Sequence, residues 1–417
     1  SHNAEKDNGL KIVDSNGGML AATWEKHAER IVNLKDSKEF YEELLKTYDS
    51  SGSGSKGCVF IGRDTRPHSE NLMKIVIDGI TAVGGRVFDL GIATTPQVHY
   101  AVDRYNKCPS IPMEDLLSDY YSCLLRGYDR LINTCTTTTT TETVTRNKQN
   151  IIVDCAKGVG SISTAEFSRL IAKQGLDANI TIDSRNVAYS GPVNDNCGAE
   201  HCQKLQQPPL TMTPIGATDT SDITDNTTAL SNKLLCSLDG DADRIVFHMY
   251  RSNQDKDQDQ DKDTNADWIL YDGDKIAALI ALFMKTELEA ASLLGPNSDF
   301  NMGLVQTAYA NGASTRYLES NNITVLFAKT GVKYLHKVAH DNFDCAVYFE
   351  ANGHGTVLFS PLLVGVIQSY KPRGDSARRE LAFERLQACI EVVNQVTGDA
   401  VSDMLFVMAI LKVCIYI

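Results

Sequence analysis

Four times along this chain a short β-branched run breaks into a polar or Gly-rich loop and then into a helical period. "GCVFIGRDTRP" (57–67) leads into "SENLMKIVIDGITAVG" and on to "GRVFDLGIATTP". "NIIVDCAKGVGSISTAEFSRLIAKQG" (150–175) repeats strand, loop and helix, and residues 303–355 repeat them twice more. Strand periods alternating with helical periods predict α/β domains, in which the loops following the strands carry the ligands. A chain of 417 residues is too long for one core, so two to four units of about 100–200 residues are expected.

Three stretches interrupt the pattern: 134–145, rich in Thr; 211–232; and 251–267, rich in Asp, Gln and Lys. All three are polar and aperiodic, and they read as disordered surface insertions. The net charge of −13 argues against a general nucleic-acid or anionic-membrane binder. Eleven cysteines without a CxxC pair read as reduced thiols in the cytoplasm. Cys197 and Cys202 lack partners at ligand spacing and read as structural. The apolar run "MLFVMAILKVCIYI" (404–417) is short for a membrane span, and a core-facing helix is expected.

The densest chemistry lies in "SLDGDADRIVF" (237–247). An EF-hand loop opening at Asp239 would need Gly at its sixth place and Glu at its twelfth; Arg244 and Tyr250 stand there. A bland turn needs no cluster of three carboxylates beside an Arg. In an extended loop alternate side chains leave on one side, so Asp239, Asp241 and Asp243 can converge on one divalent ion such as Mg²⁺. Arg244 could steady a phosphate beside it. At the other end, "SHNAEKDNGLKIVD" (1–14) places a serine near Lys11. Ser1 could carry a phosphoryl group, and Lys11 could move protons or hold charge.

Together "SHN" (1–3), "DGDADR" (239–244) and "EANGHGT" (350–356) resemble the α-D-phosphohexomutase superfamily, and within it the branch acting on N-acetylglucosamine phosphates. "GRDTRPHS" (62–69), "TTPQVHY" (94–100), "VQTAYANGASTRYLE" (305–319) and "TGVKYLHK" (330–337) extend the likeness over nearly the whole chain outside the three insertions. The resemblance implies consecutive α/β/α sandwich domains around a central cleft: 1–147 with the phosphoserine loop, 148–265 with the metal loop, 266–391 with the sugar loop, and 392–417 leading towards a fourth.

It also implies roles. Ser1 is the phosphorylated nucleophile and, with Asp239, Asp241 and Asp243, a ligand of one Mg²⁺. Lys11 is the general acid/base; His2 and Arg244 support the phosphoserine loop. Glu350 and Asn352 hold sugar hydroxyls, with Gly353, His354, Thr330, Gly331 and Lys333 also facing the substrate. The implied reaction interconverts N-acetylglucosamine 6-phosphate and 1-phosphate through a sugar bisphosphate, which also acts as activator. The expected partner is a small sugar phosphate, with no nucleic acid and no membrane, in a monomeric or weakly dimeric protein. Two readings stay beside this one: a glucose or mannose phosphomutase, and a non-catalytic sugar-phosphate-binding protein. Ala4 replaces the family's usual Pro, and no R-P-S-G-T-E run is present. The first domain's opening strand and the fourth domain are therefore expected to be missing, and turnover by the chain as given to be weak.

Overall fold

The computed structural model describes residues 3–49, 57–134, 148–176, 179–213, 233–251, 268–372 and 376–414, with Leu230 and Gly374. Three sheets follow in chain order. β1 (Cys58–Arg63) and β2 (Arg86–Ile92) pair in parallel. The second sheet holds β3 (Gln149–Asp154), β4 (Ile180–Arg185), β5 (Leu234–Leu238), β6 (Ile245–Tyr250) and β7 (Trp268–Tyr271) in the order β4-β3-β5-β6-β7. The third holds β8 (Met302–Thr307), β9 (Thr324–Ala328), β10 (Cys345–Phe349) and β11 (Gly355–Phe359) in the order β11-β10-β8-β9. The sheets of the second and third units are mixed. Strands joined by helical crossovers run parallel, and the two hairpins β5–β6 and β10–β11 run antiparallel. Both hairpins turn at loops of interest, 239–244 and 350–354. The chain is thus α/β, as expected. β7 lies beyond residue 265, in the stretch expected to open the third unit, and completes the second sheet through β6.

Helices fuse these units. Leu116–Asn133, Gly273–Ala290, Ala377–Val392 and Ala400–Cys414 share one apolar core built on Tyr120, Leu125, Phe167, Phe283, Leu386 and Phe406. Inside it Glu287 accepts from Arg378 Nη1 at 2.7 Å and Arg385 Nη1 at 2.9 Å. A carboxylate excluded from water needs such partners, and removing either side of a buried pair is costly. The C-terminal apolar run forms the Ala400–Cys414 helix, buried on nearly every face, which fits the core-facing expectation. Asp399 caps its start by accepting from the Val401 and Ser402 amides, each at 3.1 Å. Among the described residues no helix is long and apolar enough to cross a membrane.

Two of the expected insertions need correction at their margins. Met212 and Leu230 are buried with Ile152, Leu235 and Tyr250, so the flanks of 211–232 are anchored by their own apolar side chains. Thr134 is buried and accepts from Arg385 Nε at 3.1 Å. The interiors of all three stretches lie outside the described residues.

Candidate active site

The 239–244 loop folds around Asp239. Its Oδ1 accepts from the backbone amides of Asp243 at 3.1 Å and Arg244 at 3.3 Å, and its carbonyl accepts from Ala242 N at 3.0 Å. Ala242 takes a left-handed backbone, φ +59°. The loop is therefore a closed turn rather than the extended loop read from the alternate spacing, and it is the turn that gathers the carboxylates. Asp239, Asp241 and Asp243 are all buried and offer ligand atoms within 4.8 Å of one another. Among the described residues no other group of three His, Cys, Asp or Glu side chains does so. The turn needs room behind it: a side chain at Gly158 would put its Cβ 2.3 Å from the Gly240 carbonyl oxygen.

Lys11 reaches this triad from 230 residues away in sequence. Its Nζ donates to Asp241 Oδ2 at 2.5 Å and Asp243 Oδ2 at 2.6 Å. Burial works against ionisation of Asp243, but the charges of Lys11, His354 and Arg244 outweigh it and hold the carboxyl well below its usual range. Thr95 Oγ1 also donates to Asp241 Oδ2, at 2.6 Å. Sequence reasoning quoted "TTPQVHY" but gave Thr95 no role. The signal was present: Thr94 and Gln97 form a capping box with Pro96 in the first turn, and that cap presents Thr95 to the acidic loop. Arg244 keeps Nε 3.7 Å from Asp243 Oδ1.

The second hairpin loop docks on the first. Gly353, at φ +86°, accepts from Ile245 N at 3.1 Å through its carbonyl. Glu350 Oε1 accepts from Gly331 N at 2.9 Å, which ties the loop after β9 to the loop after β10. Asn352 donates through Nδ2 to Glu350 Oε2 at 3.3 Å and accepts from His354 N at 3.0 Å. His354 Nδ1 stands 3.8 Å from Asp243 Oδ1. Burial pulls the imidazole's pKa below its ordinary value and outweighs the opposing charge of Asp243. Of the sequence-derived sugar residues, Glu350, Asn352, Gly353, His354 and Gly331 therefore form one connected group beside the acidic triad. Thr330 is exposed next to it, and Lys333 holds its ammonium 5.1 Å from the Tyr334 ring centroid.

Ser1 and His2 lie outside the described residues. The chain just after them is held: Asn3 O accepts from Arg66 Nη2 at 2.7 Å and from Asn194 Nδ2 at 3.1 Å. Neither Arg66 nor Asn194 was singled out from sequence, though Arg66 sits in the quoted "GRDTRPHS". The ten described cysteines are free thiols. Cys202 donates to Ser237 Oγ at 3.3 Å, in keeping with a structural part.

Comparison with known proteins extends this geometry. The family model "phosphoacetylglucosamine mutase AMG1, domain III" matches residues 272–416, and "phosphoglucomutase/phosphomannomutase, alpha/beta/alpha domain I" matches 37–113. The human phosphoacetylglucosamine mutase is 38% identical over 421 aligned residues, spanning 99% of this chain and 68% of that protein. The Schizosaccharomyces pombe phosphoacetylglucosamine mutase 1 is 35% identical, over 99% and 72%. A crystal structure of N-acetylglucosamine-phosphate mutase in its substrate complex superposes with a TM-score of 0.82 at 34% identity, covering 99% of this chain and 70% of that one. The Aspergillus fumigatus enzyme in complex with GlcNAc-6P and magnesium gives 0.79 at 33%, covering 99% and 69%. The chain belongs to the phosphoacetylglucosamine mutase family, within the α-D-phosphohexomutase superfamily.

Proposed function

We propose that this chain interconverts N-acetylglucosamine 6-phosphate and N-acetylglucosamine 1-phosphate through a phosphoserine at Ser1 and a bisphosphorylated sugar. The observation that carries the reading is the Gly353–Ile245 contact, which sets a loop rich in hydroxyl-binding groups directly against a buried acidic triad. Three converging buried carboxylates suit a small, hard divalent cation, which takes oxygen ligands. Asp239, Asp241 and Asp243 would hold Mg²⁺, with Ser1 beside them; the ion supplies neutralisation of charge on a moving phosphoryl group. A homologue solved with magnesium and GlcNAc-6P supports that choice.

The chain's own residues do the rest. Lys11 moves the proton at the attacking or leaving sugar oxygen. Arg244 and His2 steady the phosphoserine loop, and Arg66 and Asn194 hold its backbone at Asn3. Glu350 accepts from two sugar hydroxyls, and Asn352 both donates and accepts. Thr330, Gly331 and Lys333 line the same side of the sugar. The match of residues 37–113 to a phosphoglucomutase/phosphomannomutase domain keeps a glucose or mannose phosphomutase as the second reading.

The test is phosphoryl transfer to Ser1. The chain is incubated with Mg²⁺ and a sugar 1,6-bisphosphate, and the Ser1 peptide is weighed. One added phosphate, discharged faster by GlcNAc-6P than by glucose 6-phosphate, is the expected result. An unmodified Ser1 in a chain that still binds sugar phosphate would instead establish a binding-only protein.

A further inference from the structure

The segment joining the last two helices, 393–399, packs against the acidic turn. Gly398 leaves no room for a side chain: a Cβ there would stand 2.4 Å from His354 Cδ2 and 2.9 Å from the Asp243 carbonyl oxygen. Ala400 N donates to the Ala242 carbonyl at 3.1 Å. Ala242 is the left-handed residue of the acidic turn, and its own amide donates to the Asp239 carbonyl. Both of its backbone groups are therefore engaged, one of them from outside the turn. Thr356 Oγ1 donates to the Asn394 carbonyl at 2.7 Å, which ties the same segment to the strand after the 350–354 loop.

Asp399 gives this segment its shape. The residue is buried. Its Oδ1 accepts from the Val401 and Ser402 amides, each at 3.1 Å, and its Oδ2 accepts from Asn394 Nδ2 at 3.0 Å and Tyr120 Oη at 2.9 Å. One oxygen caps the helix, which is ordinary work for an aspartate. The other closes the chain back on Asn394 with a charge-assisted bond, and capping does not require that. Asn394 Nδ2 also faces the Pro96 carbonyl at 3.5 Å. Pro96 follows Thr95, which donates to Asp241 O through its amide at 3.2 Å and to Asp241 Oδ2 through its hydroxyl at 2.6 Å.

We infer that Asp399 is a positioning residue for the acidic triad. By closing the 394–399 segment onto the helix start it sets the Ala400 amide against Ala242, and so holds the turn that gathers Asp239, Asp241 and Asp243. It acts through Ala400 and Ala242 and not as a ligand. The inference rests on the reading of the triad as a divalent-cation site, and the quantity that Asp399 sets is the affinity for the cation.

Mn²⁺ binding to the full chain is measured by electron paramagnetic resonance, well below the unfolding temperature, for the wild type, Asp399→Asn, Asn394→Ala and Arg378→Gln. Asp399→Asn keeps an oxygen for the Val401 and Ser402 amides but turns an N–H towards Asn394 Nδ2. Asn394→Ala opens the same link without changing charge. Both should bind Mn²⁺ about tenfold more weakly than the wild type. Arg378→Gln loosens the same helical core at Glu287, away from the turn, and should hold affinity within about twofold. Wild-type affinity in Asn394→Ala overturns the inference, since any loss confined to Asp399→Asn is then an effect of charge. An equal loss in Arg378→Gln also overturns it, since any loosening of the core would then suffice. Either result leaves the metal site standing. A wild type that does not bind Mn²⁺ overturns the metal site and the inference together. Should the two turn variants not fold, hydrogen exchange of the wild type decides: saturating Mg²⁺ should slow exchange at the Ala400 amide at least about threefold, and exchange indifferent to Mg²⁺ in a chain that binds Mn²⁺ overturns the inference.

Discussion

Gly353 and Ile245 are locked backbone to backbone: the Gly353 carbonyl accepts from Ile245 N at 3.1 Å, and a Cβ on Gly353 would stand 1.8 Å from the Ile245 carbonyl oxygen. Through this contact the 350–354 loop of the third sheet rests on the strand that follows the acidic loop of the second. Gly273 repeats the logic one layer away, where an added Cβ would lie 1.9 Å from the Glu350 carbonyl oxygen.

Gly353→Ala should therefore uncouple two loops at once. The new methyl meets backbone, which cannot rotate aside, and φ +86° disfavours any L side chain. A loss of about 2–4 kcal/mol is expected from the strain and the overpacking, measured by urea unfolding. Gly365→Ala is the control. It lies exposed in the Pro361–Ser369 helix with open space around its Cα, and should stabilise by about 0.5–1 kcal/mol. If both substitutions shift the midpoint alike, the docking contact does not hold the loops together.

Asp239→Asn separates the triad's charge from its shape. The amide oxygen can still accept from the Asp243 and Arg244 backbone N–H groups, so the turn should persist. One of three clustered negative charges is lost, so a hard cation should bind at least about tenfold more weakly. In a thermal melt Mg²⁺ should raise the wild-type midpoint and leave that of Asp239→Asn nearly unmoved, because only ligands of the folded state stabilise it. Equal Mg²⁺ shifts in the two proteins would show that the ion binds elsewhere.

The α/β class, the clustering of the three aspartates and the presence of a second loop at 350–354 were legible in the sequence, because strand and helix periods and short runs such as "DGDADR" and "EANGHG" are local. What escaped was long-range. Nothing near Lys11 in sequence announces Asp241 and Asp243 as its partners, and nothing near Asn3 announces Arg66 or Asn194. The shape of the acidic loop was also misread. Alternate spacing suggested an extended segment, whereas the left-handed turn at Ala242 depends on hydrogen bonds back to Asp239. Met212 and Leu230 were lost among polar neighbours for a related reason: a single apolar residue has no period, and only the cluster with Ile152 and Tyr250 shows that it is buried.

His248 should impose an acid limit on stability. The ring is buried on β6, where Nδ1 accepts from Trp268 Nε1 at 3.2 Å and Nε2 lies 3.1 Å from Ser237 Oγ. The indole N–H can only donate, so the proton of the neutral imidazole sits on Nε2. Burial pulls its pKa from 6.5 down to about 3. In the unfolded chain the ring takes up a proton below about pH 6.5, and in the folded chain it does not until about pH 3. Its contribution is therefore full above pH 6.5 and is lost progressively as pH falls towards 3, on the order of 5 kcal/mol in all. His248→Gln should flatten the slope of unfolding free energy against pH across that window. An unchanged slope would assign the acid limit to other groups.

Asn352 should set the preference between sugars. It stands between Glu350 Oε2, to which it donates, and the His354 amide, from which it accepts, so it fixes the carboxylate to which the proposed function assigns the sugar hydroxyls. Asn352→Ser shortens the side chain and should withdraw the amide that holds Glu350. Its oxygen can still reach the His354 amide in the manner of a serine turn, so the loop itself should survive. Binding of N-acetylglucosamine 6-phosphate and glucose 6-phosphate, compared by calorimetry, should show the first weakened about tenfold relative to the second, since a site built around a polar group discriminates through the partner left unpaired. If both sugars lose affinity in parallel, Asn352 serves only to brace Glu350, and the discrimination must come from a residue outside the 350–354 loop.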